Sequence, residues 1–220
     1  MIHVCGLMKS YQTKYQNNLV FRDVNFDIPT ASIIAIIGTS GCGKSTLLNA
    51  MCGLISIDSG SIIVDNTDIS KLSLKDRAEY RLRNYGLVFQ DFRLISTLNV
   101  RENILLPMCE TQGFIDEAWY RTVLNVSGLD SVEQSMPYQL SGGEQQRTAI
   151  ARALITKPKY IFADEPTGNL DQDNTNRVMS FLVDMAKREK ITLVFVTHDM
   201  ELCDYADDVL YIRDKTIRAK

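Results

Sequence analysis

The sequence predicts an α/β fold with a mostly parallel sheet and an inserted, helix-rich middle region. Short apolar runs typical of buried strands alternate with helical patterns at both ends of the chain, and the middle is mainly helical in pattern. We therefore expect one domain spanning 1–220, with a core at about 1–74 and 156–220 and a helical subdomain at about 75–155.

The predicted elements follow in chain order. Val24, Phe26 and Ile28 alternate with polar residues, which is the period of a half-buried strand. The run 32–37 is apolar without a break, as expected of a strand covered on both faces, and 46–51 reads as a helix. Further strands are expected at 61–64, 85–89, 159–163 and 191–196, and further helices at 75–83, at 99–128 with breaks at Pro107 and Gly113, and at 172–190.

Composition narrows the class of protein. The chain has 220 residues, a formal net charge of −3 and no apolar run near the ~20 residues that span a bilayer, so neither a general nucleic-acid binder nor a membrane-spanning chain is expected. The N-terminus lacks a basic stretch followed by an apolar one, and no signal peptide is predicted. Five cysteines are scattered without C-x-x-C spacing, which argues against a disulfide framework or a zinc site and favours a reducing cytosol.

A glycine-rich loop lies between a predicted strand and a predicted helix. Its sequence, GTSGCGKS, fits the pattern G-x-x-x-x-G-K-[ST]. Glycines let the backbone N–H groups approach a triphosphate, Lys44 supplies charge to its β and γ oxygens, and the Ser45 hydroxyl is a ligand for Mg²⁺. Alone, the loop indicates a P-loop NTPase and leaves GTPases, kinases and helicases open. The predicted contacts to nucleotide are Gly38, Thr39, Ser40, Gly41, Cys42, Gly43, Lys44, Ser45 and Thr46.

Polar residues with catalytic potential end two other apolar runs. Asp164 and Glu165 follow one, at the carboxyl edge of a sheet where α/β ligand sites lie. Asp164 can hold Mg²⁺, and Glu165 can polarise the attacking water as a general base. His198 ends the other run and can donate a hydrogen bond to a phosphate oxygen or to that water. Taken singly, a solvated acidic turn and a structural histidine would be the simpler interpretations.

The segment 140–147, LSGGEQQR, contains a second Ser-Gly-Gly turn, which opens a helix predicted from Glu144 to about Ile155. It predicts a second anion site, although one nucleotide needs only one phosphate-binding helix end. The second site would then serve a nucleotide held by another copy, in a symmetric pair that closes two sites at one interface.

The segment 140–147 resembles the signature motif of the ABC transporter ATPases, and the other motifs follow in that family's order along the whole chain. The resemblance implies a RecA-like core of the P-loop NTPase class, an N-terminal antiparallel β-subdomain and an inserted helical subdomain carrying the signature. It implies ATP and Mg²⁺ as ligands, ATP hydrolysis as the activity, and a second copy and a separate permease as partners. Because no run here can span a bilayer, that permease must be a different chain.

The resemblance also implies residue roles. Tyr11 matches the aromatic residue that stacks on adenine, with Tyr15 as the alternative. Gln90 matches the glutamine that contacts Mg²⁺ and the attacking water and faces the permease. His198 matches the switch histidine. With the residues above, the expected catalytic set is Glu165, His198 and Lys44, the metal set is Ser45, Gln90 and Asp164, and the set acting across the dimer is Ser141, Gly142, Gly143 and Asp171. Cys42 stands where many members carry serine.

Two segments suggest a branch of the family. The block 164–171, DEPTGNLD, resembles the lipoprotein-releasing, macrolide-exporting and antimicrobial-peptide-resistance branch, and 89–92 with 97–107 look most like its peptide-resistance members. Such a subunit would lie in the cytoplasm on the inner face of the cell membrane. A cell-division ATPase that transmits force without transport, a soluble ABC protein acting on DNA or ribosomes, and an importer subunit remain open at this point. No nucleic-acid partner is expected.

Overall fold

The computed structural model describes residues 1–12, 17–111 and 114–219, in which strands form a four-stranded and a six-stranded sheet. The strands are β1 (Ile2–Gln12), β2 (Asn17–Ile28), β3 (Ile33–Ile37), β4 (Ser59–Val64), β5 (Thr67–Asp68), β6 (Tyr85–Phe89), β7 (Tyr160–Asp164), β8 (Thr192–Thr197), β9 (Asp208–Arg213) and β10 (Thr216–Ala219). The helices are α1 (Lys44–Met51), α2 (Leu74–Asn84), α3 (Val100–Thr111), α4 (Glu117–Val126), α5 (Gly142–Leu154) and α6 (Gln172–Arg188). Short 3₁₀ turns lie at Ile69–Lys71, Asp130–Val132, Pro137–Gln139 and Glu201–Tyr205.

The larger sheet has the order β10-β9-β3-β8-β7-β6, and its central pairings are parallel. Its central strands β3, β7 and β8 are the three apolar runs predicted to be covered on both faces, and almost every residue in them is buried. Only the last pair, β9 and β10, is antiparallel. The expected α/β core with a mostly parallel sheet is therefore confirmed.

The smaller sheet is antiparallel, in the order β2-β1-β4-β5. It comes mainly from the N-terminal part of the chain, as the resemblance implied. The half-buried strand predicted around Val24, Phe26 and Ile28 is the second half of β2. The pairing of β1 and β2 shifts register three times between Val4 and Ser10, so the hairpin curves instead of lying flat.

The larger sheet separates two hydrophobic cores. Alternate residues along a strand point to opposite faces, so each central strand contributes to both. Ile161 and Phe195 face helices α3 to α6, whereas Phe162 and Val196 face α1 and the smaller sheet. Burial on both faces holds the sheet rigid and thereby fixes the positions of its strand ends.

Two features differ from the expected pattern. Pro107 lies inside α3 and does not break it, because buried Ile104 and Leu105 pack that helix onto the core despite the lost backbone hydrogen bond. Within the range 75–155, Tyr85–Phe89 joins the core sheet as its edge strand β6, next to β7. The other expected break, Gly113, and the alternative stacking residue, Tyr15, lie outside the described residues. Among the helices that the structure describes, none has the length and apolar composition needed to cross a membrane.

Candidate active site

Four strands of the larger sheet end side by side, and every one of those ends leads into a predicted site residue. Ile37 of β3 pairs with Thr197 of β8, and Asp164 at the end of β7 pairs with both Val196 and Phe89. The loop beginning at Gly38, His198, the acidic pair and Gln90 therefore follow one another along a single carboxyl edge. Ligands of open α/β sheets bind at such an edge.

The loop between β3 and α1 owes its shape to glycine. Gly43 has a φ of 107°, and a Cβ there would lie 2.6 Å from Val20 Cγ1 and 2.8 Å from Phe21 Cζ. A Cβ at Gly38 would lie 2.5 Å from Cys42 Sγ and 3.1 Å from the Ile212 carbonyl oxygen. The loop thus packs tightly against β2 and β9 where its glycines stand, and α1 begins after Gly43 without a side-chain cap.

The first residues of α1 point polar atoms back over this loop. The Lys44 ammonium, in a residue only 7% exposed, donates to the Gly38 carbonyl at 2.9 Å and to that of Thr39 at 3.4 Å. The Ser45 hydroxyl donates to Asp164 Oδ1 at 2.9 Å. The cation is therefore placed at the mouth of the loop, and two oxygen-bearing side chains meet beside it.

The pair formed by Ser45 and Asp164 fits the chemistry of a magnesium site. Both offer hard oxygen ligands, the type that Mg²⁺ prefers, and they converge next to the phosphate-type loop. Burial raises the pKa of the Asp164 carboxyl, the hydrogen bond from Ser45 opposes that rise, and the negative charge of Glu165 adds to it. A partly buried carboxylate with a second carboxylate next to it in the chain is an environment that a cation would stabilise.

Glu165 and His198 form a contact pair across β7 and β8. His198 Nδ1 lies 3.2 Å from Glu165 Oε2, and the glutamate backbone has a φ of 45°, in the left-handed region. The Glu165 N–H donates to the Val196 carbonyl at 3.1 Å, which fixes the turn at the strand end. A carboxylate held in unusual backbone geometry beside an exposed imidazole can orient a water molecule and accept its proton.

Gln90 lies directly after β6 and is joined to the turn that follows Glu165. Its Nε2 donates to Asn169 Oδ1 at 3.3 Å, and Asn169 Nδ2 donates back to the Gln90 carbonyl at 3.0 Å. A Cβ on Gly168 would lie 2.7 Å from Gln90 Nε2, so the two loops touch closely. With Asp91, Arg93 and Asp164 they line a cavity of about 280 Å³ at the same sheet edge.

Tyr11 lies near the end of β1 on the strand pair that covers the glycine-rich loop. Its side chain is 43% exposed, and the Lys9 ammonium lies 5.1 Å from the ring centroid. Lys9 pairs across the hairpin with Phe21, whose ring contacts Gly43. An exposed aromatic ring is thus held on the strand pair that packs against the phosphate-type loop, a placement compatible with stacking on a base.

The Ser-Gly-Gly turn stands apart from this cluster. Ser141 caps α5 and shares a capping box with Glu144: its hydroxyl accepts from the Glu144 N–H at 3.3 Å and lies 2.7 Å from the carboxylate. Within the described part of the chain, no hydrogen bond or ion pair joins Ser141, Gly142 or Gly143 to the loop at 38–46. The turn lies instead against the start of α6, where a Cβ on Gly143 would be 2.6 Å from Asn174 Oδ1.

Asp171, which was expected to act across the dimer, caps the N-terminus of α6. Its carboxylate accepts from the Asn174 N–H at 2.9 Å and from Asn174 Nδ2 at 3.0 Å, and the backbone hydrogen bond is the main reason why the pKa of Asp171 lies below its ordinary value. Asn174 thereby links Asp171 to Gly143. These residues form a second, exposed polar group separate from the sheet edge.

Three residues near Gln90 were not singled out from the sequence. In the sequence, Asn169 belongs to the block 164–171, Gln146 to the segment 140–147, and Arg152 to the predicted helix that follows that segment. All three make their contacts with partners 20 to 79 positions away, so no local spacing could have revealed them. Asn169 shares the turn of the acidic pair, which is the one signal that could have placed it near the edge.

Comparison with known proteins places these features in a family. The ABC transporter family model matches residues 21–168. The bacitracin export ATP-binding protein BceA of Halalkalibacterium halodurans is 34% identical over 99% of this chain and 87% of its own length. The lipoprotein-releasing system ATP-binding protein LolD of Colwellia psychrerythraea is 37% identical over 94% of this chain and 81% of its own length.

Solved structures agree with the family match. The ATP-binding cassette MJ0796, in a dimeric post-hydrolysis state bound to ADP and Pi, superposes with a TM-score of 0.91 at 31% identity, covering 100% of this chain and 98% of that one. The cassette cbiO1 of Clostridium perfringens, described as part of the transporter complex cbiONQ, gives a TM-score of 0.87 at 29% identity, over 99% and 86% of the two chains. The chain belongs to the ABC transporter family, as its ATP-hydrolysing subunit.

Proposed function

We propose that this subunit hydrolyses Mg-ATP at the carboxyl edge of its larger sheet. The observation that carries the proposal is the convergence, at that edge, of the glycine-rich loop, the contact between Ser45 and Asp164, and the pair formed by Glu165 and His198. In this assignment the backbone of 38–46 and Lys44 hold the phosphates, and Tyr11 stacks on adenine. Ser45, Asp164 and Gln90 supply the oxygen ligands of Mg²⁺, which when bound offsets phosphate charge.

In the proposed hydrolysis, Glu165 is the general base. Its carboxylate accepts a proton from water while the water oxygen attacks the γ-phosphorus and the bond to the β,γ-bridging oxygen breaks, giving ADP and phosphate. His198, 3.2 Å from the same carboxylate, orients the base and donates to a γ-phosphate oxygen. Lys44 stabilises the charge that develops on the phosphate oxygens as this bond breaks.

The substitution Glu165→Gln tests the assignment of the base. The amide keeps the shape but cannot accept the proton, so we expect turnover to fall by at least ~100-fold with nucleotide affinity within about threefold of wild type. Single-turnover hydrolysis and titration with a fluorescent ATP analogue measure the two quantities. Glu79→Gln, an exposed change on α2, is the matched control and should leave both as they are. Near-normal turnover of Glu165→Gln would remove this residue from its role.

We further propose that Ser141, Gly142, Gly143 and Asp171 complete the site of the second copy. Their separation from the chain's own glycine-rich loop supports this, because a helix start at the exposed Ser141 is an anion site without a phosphate in its own chain. In a two-fold symmetric dimer, each of the two nucleotide sites is then formed by the glycine-rich loop of one copy and the Ser-Gly-Gly turn of the other. Glu165→Gln protein should dimerise with Mg-ATP in sedimentation runs, and Ser141→Arg in that background should abolish the dimer.

The permease is proposed to dock in a groove between α2, β6, α3 and α5, close to Gln90. The groove encloses about 410 Å³, and its wall combines apolar Leu82, Leu106 and Pro107 with the guanidinium groups of Arg81 and Arg93. An amphipathic segment that carries an acidic residue would complement this lining. Such docking would hold the subunit on the inner face of the cell membrane.

Leu82→Asp tests the docking site. A carboxylate in the apolar wall should reduce recovery of the permease with the tagged subunit by at least ~10-fold. Turnover of the isolated subunit reports whether the variant is folded. Unchanged recovery of the permease would move the docking site elsewhere on the surface.

The cargo is proposed to be a lipoprotein, a macrolide or an antimicrobial peptide. Support comes from the block 164–171 together with the relatives, one of which is named for bacitracin export and another for lipoprotein release. Tagged Glu165→Gln protein, purified with Mg-ATP from solubilised membranes of its host, should bring down a permease with few spans and a large extracytoplasmic domain. Recovery of division proteins, or of ribosomes or DNA without a membrane protein, would overturn the assignment to this branch.

A further inference from the structure

The loop that carries Gln90 has an unusual backbone. Phe92 and Arg93, the second and third residues after Gln90, have φ values of 57° and 49°, so two successive non-glycine residues adopt the left-handed conformation. Residues with a Cβ rarely do so unless neighbouring groups hold them there. The loop therefore needs an external support.

Arg152, on α5, provides such a support. One terminal nitrogen of its guanidinium donates to the Phe92 carbonyl at 2.7 Å, and the other donates to the Arg93 carbonyl at 2.6 Å. The planar fork of arginine matches two adjacent carbonyl groups, which the ammonium of lysine cannot do. Both carbonyls of the left-handed pair are thus held by one side chain that lies 59 to 60 positions further along the chain.

The same helix also contacts the other end of the loop. Gln146 Nε2 lies 3.5 Å from the Phe89 carbonyl oxygen and donates to the Pro166 carbonyl at 2.6 Å. Gln90 stands between these two attachments, with its side chain paired to Asn169. Helix α5 therefore holds the loop on both sides of Gln90, and the helix start is the Ser-Gly-Gly turn at Ser141.

We propose that Arg152 is a positioning residue for the ATPase reaction, which acts by keeping the Gln90 side chain at the sheet edge beside Asp164. Because Arg152 and Ser141 belong to one helix, a displacement of α5 moves Gln90 relative to β7 and alters the metal environment. This inference rests on the proposed role of Gln90 and deepens it, since it names the group that couples α5 to the metal side of the site.

The test compares Arg152→Gln and Arg152→Lys with wild type in three measurements: turnover at saturating Mg-ATP, half-saturating Mg²⁺, and the affinity for a fluorescent nucleotide without metal. Arg152→Gln should lower turnover by at least ~10-fold and raise the half-saturating Mg²⁺ severalfold, because a misplaced group near the reacting atoms costs rate. Metal-free nucleotide affinity should stay within about twofold. Arg152→Lys, which retains the charge but only one donor nitrogen, should fall in between.

Arg101→Gln is the matched control for a purely structural effect. Arg101 is also a partly buried arginine of the helix-rich part, with hydrogen bonds to Glu117 and Glu133, but it makes no contact with the Gln90 loop. Its replacement should lower the melting temperature and leave the Mg²⁺ dependence unchanged. If Arg152→Gln and Arg152→Lys also lowered only the melting temperature, the proposal would be overturned.

A double-mutant cycle identifies the group through which Arg152 acts. In a Gln90→Ala background, Arg152→Gln should change turnover by less than about twofold, because the side chain that it positions is gone. A full, additive loss would overturn the proposal. The proposed function is tested separately. If the wild-type protein hydrolyses ATP and Glu165→Gln abolishes this activity, the proposed function is supported, whatever the Arg152 variants do. A wild-type protein that did not hydrolyse ATP would overturn both the proposed function and this inference.

Discussion

Two loops of the candidate site follow strands β3 and β6 of one sheet and obtain their shapes in different ways. The loop 38–46 bends at glycines and turns into its own helix, so the information for its shape is local. The loop after β6 bends at Phe92 and Arg93, which resist the left-handed conformation, and its shape depends on Arg152 about sixty positions away. The conformation of the first loop is determined by its own sequence, whereas the conformation of the second depends on a contact with a distant side chain.

The largest effect is expected from a substitution in the loop 38–46, whose shape is determined locally. Gly43→Ala places a methyl group 2.6 Å from Val20 Cγ1 at a φ of 107°, so either the loop or β2 must move. We expect nucleotide affinity to fall by ~100-fold or more, as strain on the order of 3 kcal/mol would give. Gly41→Ala is the matched control, because its φ of 76° is also left-handed but no atom lies within 4 Å of its Cβ. Equal losses in the two variants would mean that backbone conformation alone matters.

The next effect concerns the thiol of the same loop. Cys42 is half-buried, with its sulfur packed against Gly38. Alkylation adds bulk within the loop, so turnover after saturating N-ethylmaleimide should fall by at least ~10-fold. Cys42→Ser should protect the enzyme, although exposed Cys5 and Cys109 still react. Full activity of the alkylated wild-type protein, with modification of Cys42 verified by mass spectrometry, would reject the prediction.

A milder change probes the loop that depends on contacts. Gly168→Ala puts a methyl group 2.7 Å from Gln90 Nε2, the far end of a flexible side chain, so the fold should tolerate it while Gln90 is displaced. We expect turnover to fall about tenfold and the melting temperature to shift little. In a Gln90→Ala background the same substitution should have almost no effect on turnover. A loss that persists in that background would indicate damage to Glu165 instead.

The smallest catalytic effect is expected from the ion-pair cluster of the helix-rich part. Burial raises the pKa of Glu133. Hydrogen bonds from Tyr120, Arg101 and Arg121 outweigh burial and hold this pKa below its ordinary value of 4.5. A carboxylate whose pKa is lower in the folded state than in the unfolded state stabilises the fold at pH values above its ordinary pKa. This contribution is lost as the pH falls through the lower, folded-state pKa.

Glu133→Gln should therefore cost about 1–2 kcal/mol of unfolding free energy at pH 7 and progressively less below about pH 4.5, as urea titrations can measure. Glu117→Gln, at a carboxylate with a 52% exposed side chain, should lower the free energy of unfolding much less, because solvent screens its ion pairs. Turnover should change less than twofold in both variants. A large loss of turnover in Glu133→Gln would indicate that the helix-rich part reaches the site by a second route.

The sequence predicts features that depend on neighbouring residues and does not reveal contacts between residues far apart in the chain. The buried strands β3, β7 and β8 were predictable because unbroken apolar runs have few other uses, and the loop at 38–46 because its glycines and lysine have fixed spacing. Strands β1, β9 and β10 were missed, since their alternation of exposed and buried residues is interrupted or short. Glu165 and His198 were predictable as site residues because each follows an apolar run, whereas their contact depends on β7 and β8 being neighbours in the sheet.

The hold of Arg152 on the Gln90 loop could not be predicted in this way. An arginine in a helical run is usually exposed, and nothing in the residues around it indicates a pair of carbonyl acceptors about sixty positions earlier. Likewise Pro107 was expected to break a helix, because the packing of Ile104 and Leu105 that tolerates it is not visible along the chain.

The order of the strands in the larger sheet has a consequence for folding during synthesis on the ribosome. Strand β3 is made before both of its neighbours in the sheet, β8 and β9, which begin more than about 150 residues after Ile37. At synthesis rates of roughly 5–20 residues per second, Ile37 waits on the order of ten seconds for the strand that it pairs with. Throughout that interval an apolar β-forming segment has no native partner, and the phosphate-type loop cannot take its final place at the sheet edge until β8 and β9 have been made.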